Sequence, residues 1–250
     1  MSDPLLFVDT SESNVTVTGN LNVNDLTTLT GHTRITGETS ITGETSITGE
    51  TSITGDLNVI GNLYRTQYRP GEIIEELSSI CDGSQIELTS GTYTVQNVTA
   101  IQHGNTTHTA ITGSTIAYTP PPGTKRVYYR FSYQWDNTEN SGISHHQMQV
   151  DGTTLRDSMH TIASNYASTN WHHALFPVFN EYTIDCNASS TNAAAGKFTS
   201  WTTPKTLRIT YREYNGSYES RLHFNEWWNG TGGGSSASPV RPHLTIRAIA

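Results

Sequence analysis

The feature that most constrains this chain is a six-residue repeat that runs in eight copies between Val17 and Tyr64. A period of six does not match the 3.6-residue helical turn, whereas on a β-strand the first, third and fifth positions share one face. On that face the first position carries an aliphatic residue, the third position is a glycine in most copies, and the fifth is usually a threonine. The repeat therefore predicts β-structure with the aliphatic residue packed inward. The predicted core positions are Val17, Val23, Leu29, Ile35, Ile41, Ile47, Ile53 and Val59.

Three arrangements of the repeat are compatible with this pattern: three chains wound into one β-helical shaft, a single coiled chain, and a flexible linker. Ordering six residues costs about 6–12 kcal/mol of backbone entropy. One buried isoleucine returns only about 1.5–3 kcal/mol. A hexad therefore needs neighbours on every side, and a trimer supplies three inward residues in each layer. This favours the trimeric shaft, with a length of roughly 38 Å for eight layers at strand spacing.

The repeat divides the chain into four predicted regions. Residues 1–16 form an N-terminal anchor peptide, residues 17–64 the shaft, residues 65–72 a neck, and residues 73–250 a C-terminal head. The acidic fourth position of the hexad, as in Glu38 and Glu44, discourages edge-to-edge aggregation of the shaft.

The head shows the period-two alternation of exposed β-strands. The clearest strand places Val127, Tyr129, Phe131, Tyr133 and Trp135 on one face. Leu207, Ile209 and Tyr211 alternate in the same way, and the sequence ends in another strand from Leu244. Turn residues predict hairpins at 150–153 and 214–217. Only residues 73–80 and 159–165 have apolar spacing that suggests helices. The predicted head is an antiparallel β-sandwich, most simply a jelly roll.

Composition and charge exclude several classes of function. The net charge is −8 and the 14 Lys and Arg residues form no cluster, so we expect no nucleic-acid binding. No apolar run approaches the ~18 residues of a membrane span, so we expect no membrane insertion. The N-terminal residues lack the basic segment and cleavage site of a signal peptide, which predicts assembly inside a cell. The two cysteines, Cys81 and Cys186, are predicted to be free core thiols, with a disulfide as the alternative.

The complete layout resembles the trimeric fibre and spike proteins of bacteriophages and large aquatic viruses. The head resembles the trimeric jelly rolls of the C1q and TNF type, and the final residues, 242–250, are similar to the terminal strands of such heads. The resemblance implies a homotrimer on the virion surface, joined through its N-terminus to a capsid, portal or baseplate protein. It also implies attachment to a host surface glycan or receptor, without a cofactor. A purely structural decoration or collar component is the alternative.

Aromatic residues in the head suggest a carbohydrate platform, since sugar rings stack on exposed aromatic faces. Trp201, Tyr166 and Tyr214 are further candidates for such stacking. Adjacent Trp227 and Trp228 cannot both point into the core of a strand, so we expect one of them at the surface or at a subunit interface. The predicted ligand-binding residues are Trp171, His172, Trp227, Trp228 and Asn229.

Two histidine pairs, at 145–146 and 172–173, suggest a metal site on a three-fold axis. Polar surface histidines are the simpler interpretation, and only one member of each pair can face such an axis. No catalytic motif is present, so we expect no enzyme activity. A glycosidase pair made by Glu226 with Asp185 or Glu181 is the remaining enzymatic alternative, in which the chain cuts polysaccharide.

Overall fold

The computed structural model describes residues 68–137, 141–165, 175–227 and 236–250, together with residues 52, 54 and 56. The chain divides into two compact units, Met1–Ile60 and Gly61–Ala250. The predicted anchor and the eight predicted core positions of the shaft lie outside the described residues. Ser52, Thr54 and Asp56 are exposed. All strands described below belong to the second unit, which contains the predicted head.

This unit is built from β-strands. In the described residues the non-strand regular structure consists of two short 3₁₀ turns, Arg156–Ser158 and Ala193–Ala195. The strands are β1 (Ile73–Ile80), β2 (Gln85–Leu88), β3 (Gly91–Thr94), β4 (Gln102–His103), β5 (Thr109–Ala110), β6 (Ile116–Tyr118), β7 (Arg126–Asn137), β8 (Ser141–Val150), β9 (Thr153–Thr154), β10 (His160–Asn165), β11 (Phe176–Asp185), β12 (Lys205–Glu213), β13 (Ser220–Leu222), β14 (Phe224–Trp227), β15 (Ser236–Pro239) and β16 (His243–Ile249).

Two antiparallel six-stranded sheets form the body of the unit. In sheet I, β7 lies between β11 on one side and β16 and β13 on the other, with β1 beyond β16 and β4 beyond β13. In sheet II, the order is β10, β8, β12 and β5, with β6 also paired to β12 and β9 paired to β8. Two small hairpins, β2–β3 and β14–β15, complete the described strands. The all-β, antiparallel class predicted from the sequence is therefore confirmed.

The alternation in β7 positions the core. Val127, Tyr129, Phe131 and Trp135 are fully buried and Tyr133 is nearly so, as predicted. They meet the buried side chains of sheet II, including Leu207, Ile209 and Tyr211 of β12, in one continuous cluster. Pairing along both edges of β7 satisfies its backbone groups, so a strand with so much apolar surface can occupy the centre of a sheet.

Both predicted helices are wrong. Residues 73–80 form β1, which pairs with β16 and buries Leu77 opposite Ile246. Residues 160–165 form β10, which pairs with β8. The apolar residues of 73–80 recur at helical spacing, but the segment is short. A short segment takes its structure from the strand with which it pairs, because an isolated helix of this length is unstable.

The two predicted hairpins have different outcomes. The turn at 150–153 joins β8 to β9, with Val150 opposite Thr153, as predicted. The segment 214–217 does make a local turn, in which Asn215 Oδ1 accepts from the Ser217 N–H at 2.8 Å. However, this turn connects β12 of sheet II to β13 of sheet I, whose described partners are β4 and β7. The turn chemistry was read correctly, but the hairpin prediction was wrong.

Both cysteines are free and buried, as the simpler prediction had it. Cys81 Sγ lies 3.4 Å from the Gly113 carbonyl oxygen. Burial raises the thiol pKa to about 12 for Cys81 and for Cys186, so neither is ionised near neutral pH.

The residues just before β1 are hydrogen-bonded to the residue just after β16. The Gly71 N–H donates to the Ala250 carbonyl at 2.8 Å, and the Ala250 N–H donates to the Glu72 carbonyl at 2.9 Å. The pairing of β1 with β16 thus continues to the point where the chain enters the head.

Two glycines with positive φ differ in the space around them, so alanine substitutions can distinguish the cost of backbone strain from the cost of crowding. Gly113 (φ +94°) is buried, and a Cβ added there would lie 2.8 Å from Pro242 Cγ and 3.2 Å from Cys81 Sγ. Gly152 (φ +80°) has open space around the same position. We expect Gly152→Ala to lower the free energy of unfolding by about 1–2 kcal/mol, the cost of a left-handed alanine. Gly113→Ala should lose a further 1–3 kcal/mol, approximately, through overpacking. Urea denaturation of both variants measures the difference; equal losses would contradict the crowding described at Gly113.

Candidate ligand-binding pocket of the head

The predicted ligand-binding residues are only partly located by the structure. Trp227 ends β14, where it pairs with Ser236 of β15. Trp171, His172, Trp228 and Asn229 lie outside the described residues, as does Tyr166, so the structure does not bring these residues together. In the sequence, Trp171 and His172 fall between β10 and β11, which are the edge strands of sheets II and I.

Trp201 is not part of an exposed aromatic platform, contrary to the sequence-based expectation. Its side chain is buried, its Nε1–H donates to the Tyr118 carbonyl at 3.0 Å, and its ring packs on Phe198. Tyr214, in contrast, is 55% exposed and packs edge-on against Tyr218. The sequence pattern could not distinguish these two cases, because both residues lie next to turns.

The first histidine pair faces opposite ways, as expected for adjacent strand residues. His146 is buried between the sheets, whereas His145 lies on the outer face of sheet II and contacts Thr161 Oγ1 through Nδ1 at 3.0 Å. Among the described residues, no group of three or more His, Cys, Asp or Glu side chains is arranged to hold a metal ion. The second pair, His172 and His173, lies outside them.

His146 belongs to a buried chain of hydrogen bonds that links the two sheets. Trp135 Nε1–H donates to Ser144 Oγ at 2.8 Å, and this oxygen is 2.7 Å from His146 Nε2. The other ring nitrogen, Nδ1, lies 2.8 Å from the Tyr133 hydroxyl. Ser144 and His146 are in hydrogen-bond contact like a nucleophile and its base. Both are essentially inaccessible, so this arrangement has a structural role. Burial lowers the His146 pKa well below its ordinary value, which keeps the ring neutral.

An open pocket of about 550 Å³ lies where β11 and the start of β10 approach each other. We call it the edge pocket. Its lining residues come from both sheets and from the 3₁₀ turn before β10. They are Arg130, Asp157, Ser158, Met159, His160, Phe179, Asn180, Glu181 and Tyr182.

The edge pocket combines an exposed aromatic ring with charged groups. Phe179 lies on the outward face of β11, and 55% of this aromatic residue is exposed. The Arg130 guanidinium lies 5.2 Å from the centre of the Phe179 ring, and Arg130 Nε is 3.2 Å from Glu181 Oε1. Met159, 60% exposed, adds a second apolar side chain to the rim.

Polar groups converge deeper in the pocket. His160 Nδ1 is 3.0 Å from the Ser158 carbonyl, which can only accept, so Nδ1 donates in this hydrogen bond. Asn180 is buried and its Oδ1 accepts from the Tyr182 hydroxyl at 3.3 Å. Asn180 Nδ2 has no partner in hydrogen-bond geometry within the described part of the chain, although it is near enough to the Tyr133 hydroxyl to influence its pKa. An aromatic face beside donors and acceptors suits a polar ring such as a monosaccharide.

Sequence reasoning missed this pocket, although one signal was available. In residues 176–185, Val178, Tyr182 and Ile184 belong to the inward face, which leaves Phe179 as a large aromatic residue on the polar face. The interpretation of residues 159–165 as a helix also hid the contribution of Met159 and His160. Glu181 pairs with Arg130, and Asp185 Oδ1 accepts from the Asn187 N–H at 2.9 Å. The Glu226 side chain lies outside the described residues, so the glycosidase pair stays a prediction.

Comparison with known proteins gives no family assignment: no family model matches the chain, and no curated protein matches it. Among solved structures, the chain is similar to a structure of infectious bursal disease virus, Gx strain, with 11% identity and a TM-score of 0.29. The similarity covers 70% of this chain and 36% of the viral chain, so this chain spans about a third of that length. The described residues contain no helix long and apolar enough to cross a membrane. The function proposed below is therefore argued from this chain's own residues.

A second buried histidine, His223, predicts how the head responds to acid. It adopts φ +62° between β13 and β14, is fully buried, and neither ring nitrogen has a partner in hydrogen-bond geometry among the described residues. Burial lowers its pKa to about 4. The unfolded chain, with an ordinary histidine pKa, binds a proton that the folded chain does not between about pH 6.5 and pH 4. Stability is therefore lost as the pH falls through this window.

We expect His223 to account for about 3 kcal/mol of the stability lost on acidification from pH 7 to pH 4. His223→Asn removes the titration and suits the left-handed backbone, since asparagine tolerates positive φ. The free energy of unfolding of this variant should fall less steeply with acid than that of the wild type. His103→Asn makes the same substitution at an exposed histidine and serves as the matched control. Equal slopes in all three proteins would contradict a neutral, buried His223.

Proposed function

We propose that this chain is a trimeric fibre or spike protein of a virus particle that attaches the particle to the host surface. The observation that carries the proposal is the eight-copy hexad repeat placed before an all-β head. In this proposal the hexads form an intertwined β-helical shaft, because a lone hexad buries too little apolar surface to fold. Residues 1–16 join the shaft to a capsid, portal or baseplate protein. The chain acts by binding, without enzyme activity, cofactor, nucleic acid or membrane insertion.

We further propose that the head is a jelly roll, for which the strand order is the support. Along the chain, the main strands visit sheet I with β1, β7, β11 and β16 and sheet II with β6, β8, β10 and β12. Six of the seven connections between successive members of this set cross from one sheet to the other, and only β8 to β10 stays within one sheet. A double sheet of eight antiparallel strands with such crossings is the jelly-roll arrangement.

The proposed ligand is a host glycan, bound at the edge pocket and by the ligand-binding residues predicted from the sequence. Phe179 provides a ring for stacking, and His160 and Glu181 provide hydrogen-bonding groups for sugar hydroxyls. Trp171 and His172 lie in the segment that connects the two strands bordering the pocket, and Trp227, Trp228 and Asn229 are proposed as a second contact region. Three heads in one trimer would raise the avidity of a weak site.

The first test is the solution mass of the intact chain by light scattering. We expect 82.5 kDa, three times the 27.5 kDa of one chain. A mass of 27.5 kDa would remove the trimeric shaft and with it the observation on which the proposal depends.

The second test is a glycan array probed with the intact protein. We expect Phe179→Ala to weaken binding about tenfold, because a stacked ring contributes about 1–1.5 kcal/mol. The double variant Trp227→Ala, Trp228→Ala should also lose binding while remaining a trimer. Ile80→Ala, which removes an exposed apolar side chain from β1 and so from another part of the head, serves as the control. A trimer that binds no glycan would favour a purely structural role on the particle, and release of reducing ends from polysaccharide would instead indicate a depolymerase.

A further inference from the structure

The outer face of sheet II carries two arginines, Arg208 and Arg212, on its central strand β12. Their neighbours Leu207, Ile209 and Tyr211 are buried, so the arginines project away from the core. On the adjacent strand β8, Arg208 lies opposite Gln149 and Arg212 opposite His145. We call this surface, formed by Arg208, Arg212, Gln149 and His145, the arginine face.

Two outward arginines of sheet I, in contrast, pair with acidic residues. Arg130 of β7 pairs with Glu181 of β11, and Arg247 of β16 pairs with Glu76 of β1, so each positive charge meets a carboxylate on the next strand. On sheet II, the outward residues of the described strands β8, β10 and β12 include neither aspartate nor glutamate. The nearest acid along β12, Glu213, turns inward and accepts from the Ser220 N–H at 2.7 Å. The arginine face is thus positively charged although the chain as a whole has a net charge of −8.

The guanidinium groups are held in place by neutral partners. Arg208 Nε donates to Gln149 Oε1 at 2.9 Å, and Gln149 Nε2 donates in turn to Thr154 Oγ1 at 3.3 Å. Arg212 Nη1 donates to the Glu213 carbonyl at 3.1 Å. The two terminal nitrogens of Arg208 have no hydrogen-bond partner among the described residues. A planar guanidinium held through Nε presents these nitrogens as a fork, which matches the paired oxygens of a carboxylate or sulfate.

The spacing of the two arginines favours a polymer over a single ion. Four residues along a strand separate them by about 13 Å, too far for both to contact one carboxylate. We propose that the arginine face binds a polysaccharide that carries carboxylate or sulfate groups along its length. The proposal deepens the function proposed above by naming a ligand class for the head. It does not depend on the trimer, because the face lies within one chain.

The test measures binding of the intact protein to immobilised polysaccharides by biolayer interferometry at low and physiological salt. The probes are heparin, which carries sulfate, hyaluronan, which carries carboxylate alone, and dextran, which is neutral. We expect binding to heparin, hyaluronan or both, weakening with salt, and no binding to dextran. The heparin and hyaluronan arms distinguish sulfate from carboxylate recognition. Absence of binding to both acidic polymers, or equal binding to dextran, would overturn the proposal.

Paired variants locate the binding. The double variant Arg208→Gln, Arg212→Gln should bind about tenfold more weakly, the effect expected from losing two charge pairs. Arg156→Gln, Arg241→Gln removes the same two charges from exposed positions elsewhere and should bind like the wild type. Arg208→Lys, Arg212→Lys keeps the charges without the fork and should bind with intermediate strength. Equal loss in the first two variants would overturn the arginine face as the site.

The variants need a check on folding, and the result must be separable from that of the proposed function. Thermal unfolding of the Gln and Lys double variants should match the wild type, since these side chains are on the surface. If the Gln double variant unfolds at a lower temperature than the wild type, the Lys double variant provides the test. A Lys variant that is as stable as the wild type and binds the acidic polymers equally well, after subtraction of the dextran signal, would overturn the role of the guanidinium fork. A trimer that ignores both acidic polymers overturns this inference alone, whereas a monomer that binds them overturns the fibre alone.

Discussion

The burial of β7 is the constraint on which the rest of the head depends. This strand offers five large inward side chains, and each fully buried one contributes about 1.5–3 kcal/mol. That burial requires a paired strand along each edge of β7 and a second sheet across the core. Pairing with β11 on one side and with β16 and β13 on the other supplies the edges, and β8 and β12 supply the facing layer. This packing also determines where the two candidate binding surfaces lie. The edge pocket lies at the edge strands β10 and β11, and the arginine face lies on the outer face of sheet II.

Polar contacts then fix how the two layers face each other. A core of aliphatic residues alone permits sheets to slide, because apolar contacts are not directional. The hydrogen-bond chain from Trp135 through Ser144 and His146 to Tyr133 joins specific positions of β7 and β8, and a shift would leave these buried groups without partners. His223 shows the opposite situation, since within the described part of the chain neither ring nitrogen meets a partner in hydrogen-bond geometry, and burial lowers its pKa.

Local patterns predicted the strands whose alternation is complete and failed where the partner decides the structure. β7, β12 and β16 were evident from period two, because apolar residues occupy every second position along most of each strand. Residues 73–80 were misread, since two glutamates and three isoleucines fit a helix as well as a strand and only the pairing with β16 decides between them. The turn after Tyr214 was recognised from its Asn-Gly pair, but whether the next strand joins the same sheet depends on contacts distant in sequence.

The candidate sites divide in the same way. That one histidine of the 145–146 pair would face outward followed from strand geometry, and the structure bears this out. The edge pocket needed knowledge that β10 and β11 are neighbouring edges, which no local pattern contains. The contrast between paired and unpaired arginines likewise depends on strand register: Glu181 and Gln149 are separated from their arginine partners by 51 and 59 positions in the sequence. Register of this kind is set by the whole core.

Gly71 and Glu72 are joined to Ala250 by backbone hydrogen bonds, so the first and last residues of the head lie side by side. A short linker could join residue 250 to residue 72 without crossing the sandwich, because the backbone atoms there are already hydrogen-bonded. New termini could then be opened at the exposed turn around Gly152, where an added Cβ would meet no atom within 4 Å. The order in which the strands are synthesised would change while every strand kept its neighbours. Residues 72–250 are therefore suited to circular permutation.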